Sequence, residues 1–519
     1  MSELLVIGVP DGAADGRMRL RVLLVPHPTG ATLREAGLAE WPPPALLAGG
    51  TFEVDHDDGA RTATVARVPV AGTLAVADPA LWGRMFPADA PLGEAAARAA
   101  VDVDVHPTSQ DAALLDGTLA AVAATEVPSD GAPPAAYDDA VREGLAPWQG
   151  TSAPTPPAPA DPSPPPPPGV RRRLALLREH PAVLRALGLI AELTVPAAAL
   201  PAPGRLRVRI TGWEPAGGPG TASPWTAYGA GRRPAAGATV EDGLVTLAPP
   251  AAGGSGWRVV TVDVETGAQR AREAAVAVAG TRRRDGGPAA ALPAMPSGGV
   301  QLLRVGRGDD MRRRTARARG NAVRAGGDLV LDADDLTLGY RIDIRRSGGP
   351  WRSLHWREAR YLLDGELIAS VREEGRIAPN GAVRGREGPA WSDEVVARWT
   401  GWSLAVAPPR LDGGRRARDG REAGFGWAYE VPDGSLPALR FTATYDVRAR
   451  AEDLAGGGPG VDDADAERFV LTEIPYRRYE PVTSPAIALP AGVTVRVLGP
   501  GEAVDHLTIR SDPQARPGA

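Results

Sequence analysis

Histidine and acidic clusters are the residues of this chain that could carry metal or acid–base chemistry. The six histidines stand singly, at His27, His56, His106, His180, His355 and His506. No pair has zinc-ligand spacing, and no His-Glu-x-x-His motif occurs. Two acidic loops, 55–59 (DHDDG) and 462–467 (DDADAE), offer oxygen atoms, but neither has the spacing of a calcium-binding loop. We therefore predict no metal site and no cofactor.

Nucleophilic catalysis has equally little local support. The 519 residues include no cysteine, and all 58 basic residues are arginine. This composition excludes thiolate nucleophiles, disulfides, a Walker-type phosphate loop and a Schiff-base lysine. No Gly-x-Ser-x-Gly elbow supports a serine hydrolase. A hydrolase that uses a pair of carboxylates stays an alternative, because its two acidic residues need to meet only in the folded chain. Among 63 acidic residues, however, any chosen pair is a guess. We lean against an enzyme and predict no catalytic residue.

Arginine-rich stretches are the candidates for binding phosphate or another polyanion. Triplets occur at 171–173, 282–284 and 312–314, and the densest stretch is 311–324 (MRRRTARARGNAVR). The guanidinium fork matches phosphate, but this stretch lacks aromatic residues that would stack on bases. A net charge of −5 gives no overall basic field. We expect solvated loops or contacts with an acidic partner, and no nucleic-acid partner.

Tryptophan is the residue type that points most directly to recognition. Seven of the twelve tryptophans lie between Trp257 and Trp427. Aromatic rings form platforms for sugars and hot spots of protein interfaces, although a sandwich core uses tryptophan too. If a surface of this chain recognises a partner, we predict that it contains exposed members of one set: Trp351, Trp356, Trp391, Trp399, Trp402 and Trp427.

The stretch 439–452 (LRFTATYDVRARAE) indicates which kind of element positions such side chains. Apolar residues occupy every second position, and polar residues fill the gaps. Because strand side chains alternate between faces, the pattern predicts one long strand with a buried face and a solvated face. The residues 453–458 (DLAGGG) end it with turn chemistry. A partner sheet must cover its apolar side.

The whole chain is predicted to be mainly β and multidomain, built from antiparallel β-sandwiches with one short helical segment after a polyproline linker. Its 63 glycines and 53 prolines favour short strands joined by turns. The predicted parts are a β-rich N-terminal domain (1–147), a proline-rich linker (148–169), a helix-plus-β domain (170–280), an Arg/Gly-rich loop region (281–327), a β-sandwich (328–481) and a C-terminal strand segment (482–519) that begins a further domain. The linker predicts a semi-rigid polyproline II spacer.

Several individual elements can be predicted within these boundaries. Residues 170–193 have helical spacing that Pro181 interrupts. Asp57-Asp58-Gly59 and Asp364-Gly365 predict hairpin turns. The remaining predictions are strands at 336–344, 402–406 and 425–431, a short helix at 393–398, and core positions for Trp41, Trp82 and Phe86.

One motif resembles a known fold family. The pattern Tyr445-x-Val447-x-Ala449-x-Ala451-x-Asp453-x-x-Gly456 is similar to the penultimate strand of fibronectin type III and related immunoglobulin-like domains. In that family the tyrosine anchors a corner, and the final polar residue and glycine open the last loop. The resemblance covers the region around 395–458, with a long insertion at 411–424. It implies a sandwich and no activity.

The chain as a whole resembles large uncharacterised β-rich actinobacterial proteins. The segments that carry this resemblance are 335–341 (DLTLGYR), 351–355 (WRSLH), 399–404 (WTGWSL) and 501–507 (GEAVDHL). We associate some of that group with phage-tail-like contractile injection particles. The resemblance implies a structural or accessory part of a particle and no catalytic residues.

Three functional hypotheses follow from the sequence. The leading one is a non-enzymatic structural or interaction protein with protein partners, a component or accessory of a phage-tail-like particle. The alternatives are a hydrolase acting on polysaccharide or cell wall, and a glycan-binding module. The first residues lack a secretory signal pattern, and no apolar stretch is long enough to span a bilayer. We therefore expect a cytoplasmic protein without a membrane partner.

Overall fold

The computed structural model describes much of the chain between residues 3 and 477. The described ranges are 3–58, 60–93, 105–108, 169–196, 198, 205–213, 222–227, 240–241, 243–247, 256–262, 299–313, 316, 329–330, 336–378, 383–384, 390–393, 395–399, 401–407, 420–422, 424–440 and 442–477. Most of the proline-rich linker and the predicted segment 482–519 therefore lie outside the described residues.

The architecture is mainly β, with several antiparallel sheets and a few short helices, as predicted. The strands are β1 (Glu3–Ala14), β2 (Arg17–His27), β3 (Thr51–Asp57), β4 (Thr62–Pro69), β5 (Val105–Thr108), β6 (Ile190–Pro196), β7 (Arg205–Thr211), β8 (Ala222–Ala227), β9 (Val240–Glu241), β10 (Leu244–Val245), β11 (Gly256–Val262), β12 (Gly299–Val305), β13 (Leu329–Val330), β14 (Thr337–Arg346), β15 (Arg352–Ser353), β16 (Trp356–Leu363), β17 (Glu366–Glu374), β18 (Val383–Arg384), β19 (Ala390–Asp393), β20 (Val395–Trp399), β21 (Gly420–Glu422), β22 (Phe425–Glu430), β23 (Thr444–Asp453) and β24 (Leu471–Pro475). The helices are α1 (Pro44–Gly49), α2 (Val70–Thr73), α3 (Pro79–Met85), α4 (Val170–Leu177) and α5 (Pro181–Ala186).

The largest sheet, called here the curved sheet, has the strand order β4-β3-β7-β8-β1-β2-β6, with β13 beside β8. Its neighbours pair antiparallel, except that β8 runs parallel to β1 and β13. The two outer strands, β4 and β6, come close to each other. The sheet contains strands from both sides of the proline-rich linker, since β1 to β4 precede it and β6, β7, β8 and β13 follow it. The predicted domain boundaries stay predictions.

The curved sheet closes over an apolar core that contains the three predicted aromatic anchors. Trp41, Trp82 and Phe86 are each at most 1% exposed. The Trp82 ring lies 5.8 Å from Trp41 and 4.6 Å from Phe86. The buried indole N–H groups are satisfied, because Trp41 donates to the carbonyl of Gly188 and Trp82 to that of Leu38, each at 3.1 Å. The core prediction is confirmed for all three residues.

The sandwich is formed by two further sheets. The larger, called the main sandwich sheet, has the order β15-β14-β23-β10-β9, with β24 beside β23; the smaller has the order β11-β12-β20. One apolar core contains residues of both sheets. Trp257 of β11, for example, meets Tyr340 of β14 edge to face, with the ring centroids 4.9 Å apart. A separate four-stranded sheet has the order β17-β16-β22-β21 and contributes residues to the candidate site.

Both predicted hairpins are confirmed. Strand β3 pairs antiparallel with β4, and β16 pairs antiparallel with β17. In the second turn, Asp364 and Gly365 both have positive φ, at 51° and 91°. Those dihedrals suit the right-handed twist of a two-residue hairpin and explain the Asp-Gly pair.

Other local predictions need correction. The helix predicted at 170–193 does break at Pro181, but its last residues belong to β6, which alternates buried and exposed positions beside β2. The helix predicted at 393–398 is wrong, because Asp393 belongs to β19 and residues 395–398 belong to β20. The region 281–327, predicted as loop, contains strand β12, whose apolar residues reach the sandwich core.

The strand predicted at 402–406 is also wrong, because this segment has no regular structure. Leu404 and Val406 are nevertheless buried. The hydroxyl of Ser403 accepts hydrogen bonds from the backbone N–H groups of Ala405 and Val406, each at 3.1 Å. This local turn satisfies backbone groups that a strand would pair in a ladder.

Candidate functional site

The unusual feature of strand β23 is that both of its faces are buried. Tyr445, Val447, Ala449 and Ala451 enter the sandwich core as the alternation predicts. The predicted solvated face is wrong from Asp446 onward, because the polar residues Asp446, Arg448, Arg450 and Glu452 are at most 5% exposed. The earlier polar residues Arg440, Thr442 and Thr444 are exposed as predicted, although the strand begins only at Thr444. The buried part of this face is covered by chain segments that bring complementary charges.

Asp343 lies at the centre of these charges. This carboxylate, fully buried in β14, accepts hydrogen bonds from Arg448 Nε at 2.8 Å and from Arg450 Nε and NH2 at 2.8 and 2.7 Å. Arg450 also donates to Glu374 Oε1, at the end of β17, at 2.5 Å. One carboxylate thus joins two arginines, and one of those arginines joins the main sandwich sheet to the four-stranded sheet.

A second set of pairs extends this network. Glu452, 1% exposed, lies 3.2 Å from Arg341 and 3.3 Å from Arg376. Arg376 lies 2.5 Å from Glu179, just before α5. We call the whole set the ionic layer, and it consists of Glu179, Arg341, Asp343, Glu374, Arg376, Arg448, Arg450 and Glu452.

Two groups of the ionic layer, Glu374 and Arg450, hold fixed charges at neutral pH. Burial raises the pKa of Glu374, but the charge and hydrogen bond of Arg450, helped by Arg341 and Ser353, outweigh burial and lower that pKa to about 2. Burial lowers the pKa of Arg450, and Asp343 and Glu374 outweigh it and raise that pKa above its ordinary value. Groups held so far from neutrality cannot exchange protons as general acids or bases there. Their role is to pair with one another.

An aromatic cluster around a single histidine, His180, adjoins the ionic layer. The imidazole of His180 is surrounded by the rings of Tyr361, Phe425 and Trp427, with centroids 5.4, 5.1 and 5.0 Å away. Its Nδ1 lies 3.1 Å from the hydroxyl of Tyr429. Burial, followed by the charges of Arg357 and Arg376, lowers the pKa of His180 to about 3. His180 is therefore a neutral core residue at neutral pH.

The charged neighbours of His180 are also paired. Arg357 donates to Glu373 Oε1 at 2.6 Å, and its guanidinium lies 3.9 Å from the centroid of the Tyr429 ring. The Tyr361 hydroxyl donates to the same Glu373 oxygen at 2.6 Å. Cation–π contact and charge-assisted hydrogen bonds stabilise this arrangement inside the four-stranded sheet.

The predicted tryptophan set falls into different surroundings. Trp399 is buried and packs on Tyr476 at 5.7 Å, and Trp427 belongs to the His180 surroundings. Half-buried Trp356 has the guanidinium of Arg372 5.3 Å from its ring centroid, and Trp402 is half-buried as well. Trp391 lies in β19, and its side chain is outside the described residues. As an interaction surface, the set stays a prediction.

Trp351 is the member of the set that touches the ionic layer. The guanidinium groups of Arg345 and Arg448 lie 4.4 and 4.1 Å from its ring centroid. Its indole N–H donates to Glu467 at 2.5 Å. The ring is half-buried, so one rim of the ionic layer ends in an aromatic surface that solvent reaches.

Several of the other sequence candidates contact groups within the chain. In the triplet 171–173, Arg171 and Arg173 donate to backbone carbonyls, and Arg172 lies 2.9 Å from Glu422. Arg312 lies 2.5 Å from Asp309, and the triplet 282–284 is outside the described residues. The acidic residue Asp58 accepts the N–H groups of Ala60 and Arg61 in its hairpin turn, each at 2.8 Å.

Two properties of the described residues bear on the remaining hypotheses. Among those residues, His, Asp and Glu side chains nowhere gather in groups of three or more suited to a metal ion. No described helix combines the length and the apolar character needed to cross a membrane.

The comparisons with known proteins add no assignment. No protein-family model matches the chain, and no curated protein and no solved structure matches it either. The resemblances to fibronectin type III domains and to actinobacterial particle proteins therefore stay predictions.

Tyr445, at the start of β23, is held by its hydroxyl group. Its hydroxyl accepts the N–H of Arg440 at 3.0 Å and donates to the carbonyl of Ala438 at 3.3 Å. Tyr445→Phe should lower the free energy of unfolding by about 1–2 kcal/mol, because the buried tyrosine loses a hydroxyl that makes two part-buried hydrogen bonds to the backbone. Urea unfolding measures the loss. Thr444→Ala, at the exposed neighbouring position, should change stability by less than about 0.5 kcal/mol, and an equal loss in both variants would contradict the prediction.

Proposed function

We propose that this chain is a non-enzymatic structural or interaction protein, acting as a component or accessory of a phage-tail-like contractile injection particle. The observation that carries the proposal is the ionic layer. Charged residues that an enzyme would direct toward a substrate are here buried against one another. They connect the main sandwich sheet, the end of β17 and the segment before α5.

Such a layer suits a part whose shape must be kept under load. Buried ion pairs contribute little net stability compared with apolar packing, but a pair that is broken leaves an uncompensated buried charge. The relative arrangement of the paired segments is therefore specified strongly. We infer that this specificity serves an assembly in which the sandwich must present its surface in one orientation.

The proposed contact surface is the solvated rim around Trp351, with Arg345 and Glu467 beside the ring. Aromatic and arginine side chains together are characteristic of protein-interface hot spots. The partner is a protein of the particle, without nucleic acid or membrane, and the site of action is the cytoplasm. The particle assignment itself depends on the resemblance of segments such as 335–341 and 399–404.

The test is co-sedimentation from the native cell. The tagged full-length chain should travel with a large particle, and Trp351→Ala should reduce the particle-bound fraction at least severalfold. The matched control is Leu367→Ala, because Leu367 is an exposed apolar residue (49%) outside the predicted set. Thermal unfolding of each purified variant separates lost binding from lost folding.

Two results would contradict the proposal. One is a chain that sediments alone while particles are present in the same lysate. The other is polysaccharide binding or cleavage by the purified chain, which would favour the glycan-binding or hydrolase alternatives.

A further inference from the structure

The triple-glycine loop, residues 456–458, follows strand β23 and lies against the curved sheet. A Cβ on Gly456 would come within 2.5 Å of Pro181, and a Cβ on Gly458 within 2.3 Å of the Ala451 carbonyl oxygen. Only glycine fits such close approaches without displacement of its neighbours. A Cβ on Gly457 would lie 2.7 Å from Asp11 Oδ1 in β1 and 3.2 Å from Arg21 Cδ in β2. The loop is thus a tight junction between the main sandwich sheet and the strands β1 and β2.

Asp11, at the irregular end of β1, holds this loop from the side of the curved sheet. Its Oδ1 accepts the backbone N–H of Gly458 at 3.2 Å, and its Oδ2 accepts Arg21 Nε at 2.9 Å. Arg21 also reaches the carbonyl of Ala455 at 3.5 Å. Both oxygens of Asp11 and the Arg21 cation are therefore already engaged.

Asp453, the last residue of β23, faces Asp11 across Gly457. Its Oδ1 accepts the N–H groups of Ala455 and Gly457 at 2.7 and 3.0 Å. Its Oδ2 is buried and has no hydrogen-bond partner among the described residues. A Cβ on Gly457 would lie 2.6 Å from that oxygen and 2.7 Å from Asp11 Oδ1, so the two carboxyl oxygens are at most 5.3 Å apart.

At this junction the carboxyl groups of Asp11 and Asp453 lie near one arginine, Arg21, which already pairs with Asp11. Asp453 therefore has no arginine of its own as a partner there. Besides Asp11 and Arg21, three further charged groups lie near the loop. The guanidinium of Arg341 donates to the carbonyls of Gly456 and Gly457 at 3.2 and 3.5 Å, and Glu452 Oε1 lies 3.7 Å from the position of a Cβ on Gly456. The charge of Arg185 acts on Asp11 and Arg21. Arg341 is also 3.2 Å from Glu452. An ionised Asp453 would therefore bury an unpaired oxygen beside a second carboxylate.

We propose that Asp11 and Asp453 form a pH-sensitive junction, in which Asp453 carries a proton while the triple-glycine loop is docked on β1 and β2, and loss of that proton loosens the loop. The proton removes the repulsion between the two carboxylates and the cost of burying a second negative charge. The docked state is favoured at acidic pH, and the loosened state gains population toward alkaline pH.

The titration behaviour agrees with this geometry. Burial, with a smaller contribution from the charge of Asp11, raises the pKa of Asp453 to about 6, against the N–H groups of Gly457 and Ala455 and the charge of Arg21. A carboxyl whose pKa is raised on docking stabilises the docked state fully below its ordinary pKa, near 3.8. That stabilisation is lost as the pH rises through about 6.

The experiment is amide hydrogen exchange on the full-length chain between pH 5 and pH 7.5, read as protection factors at Ala455, Gly457 and Gly458. Linkage with a docked pKa of about 6 predicts that wild-type protection falls roughly tenfold over this range. Asp453→Asn keeps the acceptor oxygen and cannot ionise, so its protection should change less than about twofold. Asp433→Asn, in an exposed turn, should behave like wild type.

A second measurement makes the test independent of whether the variants fold. The carboxyl ¹³C chemical shift of Asp453 in the wild-type chain should titrate with a midpoint above pH 5. A midpoint below pH 4 would overturn the proposal, and so would equal pH dependence of loop protection in the wild type and in Asp453→Asn. The His180 contribution has the opposite sign and is common to all variants, so it cancels in the comparison.

Discussion

Asp343→Asn should lower the free energy of unfolding by about 3–5 kcal/mol, because it removes the carboxylate between two fully buried arginines. Arg450 keeps Glu374 as a partner. Arg448 keeps the carbonyl of Val461 and a distant carboxylate, Glu467, at 3.9 Å. A guanidinium cannot lose its proton to relieve the cost of burial, so the charge of Arg448 is left without a close carboxylate partner. Chemical denaturation monitored by tryptophan fluorescence measures the loss.

The matched control is Asp89→Asn. The ion pair of Asp89 with Arg34 is nearly as short as the central pairs, at 2.9 Å, but its side chains are 79% and 64% exposed. Solvent screens such a pair, so its loss should lower stability far less than the loss of Asp343 does. Similar losses in the two variants would mean that the ionic layer is hydrated and does not contribute as described.

Gly458→Ala is expected to lower the free energy of unfolding by about 2–6 kcal/mol, since it combines two costs of about 1–3 kcal/mol each. Gly458 has φ of 127°, a conformation that residues with a side chain rarely adopt. A Cβ there would also lie 2.3 Å from the backbone oxygen of Ala451, which cannot rotate away. Thermal and urea unfolding, compared with the unmodified chain, give the size of the effect.

Gly460→Ala is the control for this substitution, because Gly460 follows closely in the same segment. A Cβ on Gly460 meets open space, and its φ is not in the left-handed region. We expect stability to be unchanged or raised by up to about 1 kcal/mol, through a less flexible unfolded chain. Comparable destabilisation by both alanines would show that the triple-glycine loop is not a tight junction.

Much of the fold could be predicted from period-two alternation and turn chemistry. The Asp-Gly turn after β16, the interruption at Pro181 and the buried aromatic anchors are decided by local steric and hydrophobic effects. The helix predicted at 393–398 failed because its short pattern of charged and apolar residues suits a strand as well, and pairing with β12 decides between them. The helical prediction extends over residues 190–193 for a similar reason, and pairing with β2 makes them the start of β6.

The candidate site was harder to predict, because a polar residue on a strand can face solvent or be buried against an opposite charge. The alternation of polar and apolar residues is the same in both cases. Arg448 and Arg450 were expected on a solvated face, and their burial depends on Glu374 and on the loop after β23. One signal was present in the sequence: β14 and β23 both carry charges of mixed sign at their polar positions. In register, Asp343 lies opposite Arg448, and Arg345 lies opposite Asp446. Complementary charges on two patterned strands predict pairing between those strands.

The order of strands in the curved sheet also has a consequence during protein synthesis. Strands β7 and β8 lie between β3 and β1, yet they are made long after both; Asp57 pairs with Arg205. At ~5–20 residues per second, the roughly 150 intervening residues take on the order of ten seconds to leave the ribosome. Until then the hairpins β1–β2 and β3–β4 have unpaired edges, which are templates for pairing with other chains. The nascent polypeptide, more than the finished protein, is therefore the form that needs a chaperone.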